Sequence, residues 1–200
     1  MRKSPDKIPL YSAQEAGRHY LENAVLASPP IHIETALFTL AEIGSIAPLL
    51  KLSKHPFKTK FHSYLFLTEG QVKISINAEV FELKAGNFSL VCSGEVVALT
   101  EIEEGTKGYM GTFSEQIFTP QTTEKLLAQL LNVGVFQIRE LPQHIAQHFG
   151  HVFRRISVLY ETPVPQYIEH ISDYFVTILN ELFLVDTAPD NIKVTAAQKL

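Results

Sequence analysis

The chain has 200 residues, 46% of them hydrophobic, so it can bury one sizeable core and is neither disordered nor fibrous. Its 17 basic and 21 acidic side chains give a formal net charge of -4, which excludes a global positive field for nucleic-acid phosphate. A single cysteine excludes an internal disulfide, and no early apolar run is typical of a signal peptide or long enough to cross a bilayer, so we expect a cytoplasmic protein without membrane contact.

Residues 1–30 are predicted to form an N-terminal arm with one short helix. Ser12 followed three residues later by Glu15 is typical of a capping box at a helix start. Pro29 and Pro30 would end this helix. Residues 31–40 and 49–52 are rich in apolar, β-branched and aromatic side chains, and they predict the first two strands.

Residues 61–99 are predicted to form short strands separated by turns. Val72, Ile74 and Ile76 alternate with polar residues, which is the period of half-buried strands. The breaks between strands carry residues that tolerate tight or left-handed backbone: Glu69-Gly70, Asn77-Ala78, Ala85-Gly86-Asn87 and Ser93-Gly94. This Gly-centred spacing resembles a cupin barrel. The resemblance implies an α+β protein in which a double-stranded β-jelly roll over residues 31–118 precedes a C-terminal helical hairpin.

The period of the apolar residues changes after Phe118. Thr122 and Thr123 can cap a helix, and Pro142 is suitably placed to start a longer helix that runs to about Tyr160. After a stop at residues 162–165, a last helix carries an apolar seam at alternating steps of three and four residues. The seam consists of Ile168, Ile171, Phe175, Ile178, Leu182 and Val185.

This seam has two interpretations. Its spacing is typical of a coiled coil or an antiparallel helix pair, which favours a dimerisation surface. The alternative is that the seam packs on the chain's own core, because about two to three heptads are short for a self-sufficient coiled coil.

The barrel segment, residues 108–118 (GYMGTFSEQIF) and the helix pair together resemble the sensor half of AraC-family transcription regulators. The resemblance covers about residues 57–200, and it depends on the order of the features. In that family a cupin-like barrel is followed by helices that dimerise and then by a separate helix-turn-helix domain. The resemblance therefore implies a small-molecule effector, a homodimer through the C-terminal helices, and a dimerisation and linker region at 119–200. The DNA-binding half would lie beyond Leu200.

The resemblance to cupins also implies where a metal would bind. Metal-binding cupins place two histidines one residue apart, a glutamate shortly after, and a third histidine on a later strand. Aligned on the glycines, this chain has Phe57 and Thr59 at the paired histidine positions, Ser63 at the glutamate position and Val97 at the last one. Two hydroxyl groups and two apolar groups cannot hold a divalent transition metal, so we expect no metal and no cofactor.

In the same register Ser63, Leu65, Val97 and Leu99 point into the barrel, with Thr59 near its mouth. These residues predict an apolar ligand site with few hydroxyl groups. The cavity could hold a small organic effector, or it could be filled by its own side chains, and the sequence leaves both open.

No residue is assigned a catalytic role. The chain has no P-loop, dinucleotide glycine fingerprint or nucleophile elbow. His144, His148 and His151 could share one helical face, for which a polar boundary is favoured over a metal site. We therefore predict a non-enzymatic sensor and dimerisation module. The alternatives are a stand-alone metal-free cupin that binds a small molecule, a degenerate cupin enzyme, and a purely structural dimer adaptor.

Overall fold

The computed structural model describes residues 8–11, 15, 37–50, 52, 56–133, 136–161 and 166–185. Most of the predicted capping-box helix, including Ser12, lies outside the described residues, as do Pro29, Pro30 and residues 31–36 of the first predicted strand. Within the described ranges, no helix is both long enough and apolar enough to span a membrane.

The described strands and helices follow one another along the chain in a mainly β part and a mainly helical part. The strands are β1 (Leu10–Tyr11), β2 (Ala41–Glu42), β3 (Phe57–Thr59), β4 (His62–Glu69), β5 (Gln71–Ile76), β6 (Glu79–Lys84), β7 (Asn87–Val91), β8 (Val96–Ile102), β9 (Lys107–Phe113) and β10 (Phe136–Glu140). The helices are α1 (Ile43–Ile46), α2 (Pro120–Val133), α3 (Gln143–Glu161) and α4 (Tyr167–Val185).

The strands form two five-stranded sheets, ordered β1-β3-β8-β5-β6 and β10-β7-β4-β9-β2. Pairing is parallel between β1 and β3 and antiparallel between the other neighbours. The inner faces of the two sheets meet, because Leu65 of the second sheet and Leu99 of the first share one buried cluster. The fold is therefore α+β, with a cupin-like jelly roll followed by helices, as the sequence predicts.

The predicted turns between the strands are confirmed. Gly70, Asn77, Ala78, Gly86 and Gly94 all have positive φ angles, so the chain reverses where the sequence places residues that tolerate this geometry. Gly70 has a second constraint, because a Cβ atom there would lie 2.5 Å from the hydroxyl oxygen of Thr106.

The central strand β4 carries two different apolar faces. Leu65 and Leu67 face the other sheet across the barrel. Tyr64 and Phe66 point the opposite way and pack against α3 and α4 in a larger cluster. This alternation follows from the two-residue period of a strand that is buried on both faces. One strand thus contacts both the barrel interior and the C-terminal helices.

Three sequence predictions are wrong in detail. Residues 119–200 contain a strand as well as helices, since β10 pairs antiparallel with β7 from Phe136 opposite Val91 to Glu140 opposite Asn87. The strand predicted to begin at Leu49 does not begin there, because Ala47–Leu49 is a 3-10 turn with a proline near its start. Helix α2 begins at Pro120, two residues before the predicted cap.

Candidate functional site: the barrel interior

Four of the predicted ligand-site residues lie on the inner faces of the two sheets. Leu65 and Leu99 lie in the same buried cluster. Val97 packs against a neighbouring cluster formed by Ile76 and Val91. Ser63 lies directly opposite Val91 in the β4–β7 pair, so its side chain is on the same sheet face.

The inner face of the barrel carries both fully buried and half-buried apolar side chains, and Leu67 and Leu83 are each 0% exposed. Five inward apolar side chains are only half-buried: Ile74, Phe81, Val97, Met110 and Ile138. On the helix side of the same sheet, Phe66 and Phe88 are 1% and 0% exposed. The described residues of the two inner faces therefore form an apolar chamber between the sheets, in which some side chains are fully buried and others half-buried.

Thr59 is buried beside this chamber, but its hydroxyl group is already used. Its Oγ1 donates to the carbonyl oxygen of Phe61 over 2.5 Å, within the turn that joins β3 and β4. Thr59 therefore helps to fix the rim of the barrel. Its predicted role in contacting a ligand stays a prediction.

The positions that hold metal in metal-binding cupins do not fit a metal here. Phe57 and Val97 are directly paired across β3 and β8, so two of the four positions form an apolar contact. The other two, Thr59 and Ser63, offer only neutral hydroxyl groups. Transition metals in proteins are held by imidazole, carboxylate or thiolate. The donor set thus disagrees with a metal centre at this place.

Two residues of the inner face were missed by the sequence analysis. Ser89 alternates with Phe88 and Leu90, which face the helices, so its side chain faces the chamber. Ile138, on the unpredicted strand β10, is paired with Ser89. The alternation of Phe88, Ser89 and Leu90 was a usable signal for the first residue.

The predicted dimerisation seam lies inside the chain's own core. Ile171, Phe175, Ile178 and Leu182 are each 0% exposed. Phe175 contacts the rings of Phe38 and Phe113 at centroid distances of 5.0 and 4.9 Å. Ile168 is half-buried against the same cluster, and the side chain of Val185 lies outside the described part.

The location of the seam has a physical reason. The outer face of the second sheet presents a broad aromatic surface, and α4 covers it with its most apolar stripe. This is the alternative that the spacing left open. A dimer contact through these helices would therefore have to use other positions.

A short segment before β2 is held from two sides. The hydroxyl group of Tyr64, on β4, donates to the carbonyl oxygen of Thr39 over 2.8 Å. The hydroxyl group of Tyr160, on α3, donates to the neighbouring carbonyl oxygen of Phe38 over 3.2 Å. Complete burial, and secondarily the proximity of Tyr160, raise the pKa of Tyr64 well above its ordinary value, which keeps this donor protonated.

His62 joins three parts of the barrel rim. Its Nδ1 accepts from the backbone N–H of Ser93 over 3.4 Å, so the neutral ring carries its proton on Nε2. Nε2 donates to Oε1 of Glu115 over 2.8 Å. The ring also stacks on Phe113 at 5.0 Å. The contacts are those of a structural histidine on a strand face.

Cys92, at the end of β7, is a poor nucleophile. Burial, followed by the nearby Glu95 and Glu115, raises the pKa of its thiol from 9.0 to about 11. Thiolates are the reactive form, so this cysteine stays protonated and unreactive near neutral pH.

The three histidines of α3 lie on its exposed side. His148 faces Glu181 of α4, with Nε2 and Oε1 3.5 Å apart. In the part of the chain that the structure describes, histidine, cysteine and acidic side chains form no group of three or more suited to a metal ion. His144 and His151 are exposed.

No known sequence family and no curated protein matches the chain. Among solved structures, it is similar to a variant of apo ToxT from Vibrio cholerae strain SCE256, with 10% identity and a TM-score of 0.46 over 72% of this chain and 55% of that one. It is similar to the AraC-like transcriptional activator CuxR, with 10% identity and a TM-score of 0.41 over 72% and 49%.

The chain is also similar to a cupin protein from Bacteroides fragilis, with 14% identity and a TM-score of 0.27 over 38% of this chain and 61% of that one. The solved structures to which the chain is similar thus include AraC-type regulators and cupin proteins. The chain spans about half the length of the two regulators.

Proposed function

We propose that the chain is the effector-binding and dimerisation part of a cytoplasmic AraC-type transcription regulator, with no catalytic role of its own. A helix-turn-helix half beyond Leu200 would contact DNA. The observation that supports this proposal is the apolar inner face of the barrel, where inward side chains such as Ile74, Val97 and Met110 are only half-buried. The order of barrel and helices supports it, because a sensor of this type needs a ligand site joined to elements that transmit its state.

A bound effector would reach the helices through β4. Leu65 contacts the chamber, while the adjacent Tyr64 and Phe66 pack on α3 and α4. Phe153 of α3 lies with its ring centroid 5.5 Å from Tyr64 and 5.7 Å from Phe66. An effector that binds one arrangement of this contact better than another shifts the population of the two arrangements.

A homodimer through the C-terminal helices would use their exposed positions. Val158 on α3 and Leu184 on α4 are 39% and 68% exposed, so a second copy could contact these positions without disturbing the core.

The test is a thermal-shift screen of small metabolites against the chain and a variant with a blocked chamber. A compound that raises the melting temperature of the native chain should lose this effect in Ser63→Phe, because a ring would occupy the space beside Val91. Ser63→Leu serves as a smaller block if the first variant does not fold. Ser75→Phe, on the outward face of β5, is the matched control and should keep the effect. Protection retained in both Ser63 variants would contradict a site in the barrel.

A stand-alone cupin that binds a small molecule, or a degenerate cupin enzyme, is the second proposal. The observation in its favour is that Phe57 and Val97, two of the positions aligned with metal ligands of cupins, lie opposite each other across β3 and β8. The coding sequence after Leu200 separates the two proposals. A regulator requires a basic helix-turn-helix domain of about 100 residues to follow.

A further inference from the structure

Two serine hydroxyl groups face the chamber from neighbouring strands. Ser63 on β4 is paired with Val91, and Ser89 on β7 is paired with Leu65. The two serines are therefore diagonal neighbours on one face of the sheet. Positions related in this way lie about 7 Å apart, close enough for one small ligand to contact both.

Neither hydroxyl group has a hydrogen-bond partner among the residues that the structure describes. Ser89 is 2% exposed, and Ser63 is half-buried. Hydroxyl groups at buried positions ordinarily have a partner. The hydroxyl groups of Ser63 and Ser89 can therefore still form hydrogen bonds with a molecule inside the barrel.

The surroundings of the two serines are apolar. Leu65 pairs with Met110 on β9, and Ser89 pairs with Ile138 on β10, which gives a row of uncharged side chains across the sheet. Among the described residues of this row and of the adjacent row through Ser63, none is lysine, arginine or histidine. A buried ionised group without a counter-charge is strongly disfavoured, so this wall of the barrel favours an uncharged ligand group over a carboxylate.

We propose that Ser63 and Ser89 form the polar end of the effector site, and that the effector is an uncharged, mostly apolar small molecule with one hydrogen-bonding hydroxyl, carbonyl or amide group. A serine hydroxyl group can donate and accept, so the pair can serve any of these three. This inference rests on the proposed sensor function and names the class of its ligand.

The test uses matched probes of one shape and different charge: benzyl alcohol, acetophenone, benzamide and benzoate. Binding is followed by NMR of the chain labelled at leucine, valine, isoleucine and methionine methyl groups. The three uncharged probes should move the methyl signals of Leu65, Val91 and Met110, with affinities at least about tenfold above that of benzoate.

Serine variants show whether the hydroxyl groups take part. Ser63→Ala and Ser89→Ala should each weaken benzyl alcohol binding by about three- to tenfold and leave toluene binding unchanged, because toluene makes no hydrogen bond. Ser75→Ala, on the outer face of β5, is the control and should change neither. The melting temperature of Ser89→Ala should not fall, since its hydroxyl group has no partner to lose.

The outcomes distinguish the inference from the function on which it rests. Benzoate that binds as well as the uncharged probes at the same methyl groups overturns the ligand class and leaves the sensor function standing. Unchanged affinity in both serine variants, with a lowered melting temperature in Ser89→Ala, makes the serines structural and overturns their role. If no probe moves an inward methyl signal up to its solubility limit, both the inference and the barrel site are wrong.

Discussion

The hydroxyl group of Tyr160, on helix α3, donates a hydrogen bond over 3.2 Å to the carbonyl oxygen of Phe38, next to the first strand of the second sheet. The hydroxyl group of Tyr64, on the barrel strand β4, donates a hydrogen bond over 2.8 Å to the adjacent carbonyl oxygen of Thr39. A peptide segment is thus shared between the barrel and the helices, so the two parts are expected to unfold together.

Removal of either hydroxyl group should destabilise the fold. Tyr64→Phe and Tyr160→Phe each leave a buried carbonyl oxygen without this donor, and we expect a loss of about 1 to 2 kcal/mol in the free energy of unfolding. Urea denaturation measures it. Tyr109→Phe is the control, because Tyr109 is half-buried and its hydroxyl group makes no hydrogen bond to a described residue. Equal stability of all three variants would show that the two bonds contribute nothing.

Gly111 has no space for a side chain, because the backbone at Thr39 approaches it closely. A Cβ atom there would overlap the carbonyl oxygen of Thr39 and lie 2.7 Å from the hydroxyl oxygen of Tyr64. We expect Gly111→Ala to cost more than about 2 kcal/mol, measured by urea denaturation. Gly150→Ala should instead increase the free energy of unfolding, because this helical glycine has space for a Cβ atom beside it. Alanine should stabilise α3 there by about 0.5 to 1 kcal/mol.

The buried thiol of Cys92 should make the stability of the fold depend on pH in the alkaline range. Because burial raises the pKa of its thiol from 9.0 to about 11, the folded state favours the protonated form. This contribution to stability is complete below about pH 9 and is lost as the pH rises towards 11. At pH 8, iodoacetamide should therefore label the folded chain about 100-fold more slowly than the urea-unfolded chain. Equal labelling rates would mean that the thiol is not buried.

Substitutions in the buried seam of α4 should affect stability differently from substitutions in a dimer interface. Ile178→Ala should lower the free energy of unfolding by about 3 kcal/mol, independently of protein concentration, because it opens a cavity in the chain's own core. His170→Ala, at an exposed position of the same helix outside the proposed dimer contact, should change stability by less than about 0.5 kcal/mol. Analytical ultracentrifugation of the native chain and of Ile178→Ala measures whether the substitution changes the oligomeric state. A native dimer that becomes a folded monomer in Ile178→Ala would contradict the prediction.

The parts of the fold with strong local signals could be predicted from the sequence. The turns at Gly70, Gly86 and Gly94 carry residues whose backbone freedom is needed there. Helices α3 and α4 have apolar residues at steps of three and four over their whole length. Both kinds of signal depend only on residues close together in the sequence, so they can be recognised without knowledge of the tertiary contacts.

The remaining features depend on contacts distant in sequence. Strand β10 is only five residues long and is formed by pairing with β7, far earlier in the chain. The partner of the seam around Ile178 could not be chosen from its spacing, because a second subunit and the outer sheet face would bury it equally well. Ser89 could have been placed by its alternation with Phe88, but the absence of a hydrogen bond to a described residue needed the structure.

The most direct test of a ligand chamber inside the barrel is xenon binding followed by methyl NMR, since xenon enters apolar cavities without needing any polar partner. We expect saturable shifts at the methyl groups of Leu65, Val97 and Leu99, with Ile156 and Ile178 under the helices unchanged. Signals of the barrel methyl groups that do not move at any xenon pressure would show an interior packed solid by its own side chains, and they would contradict a sensor site there.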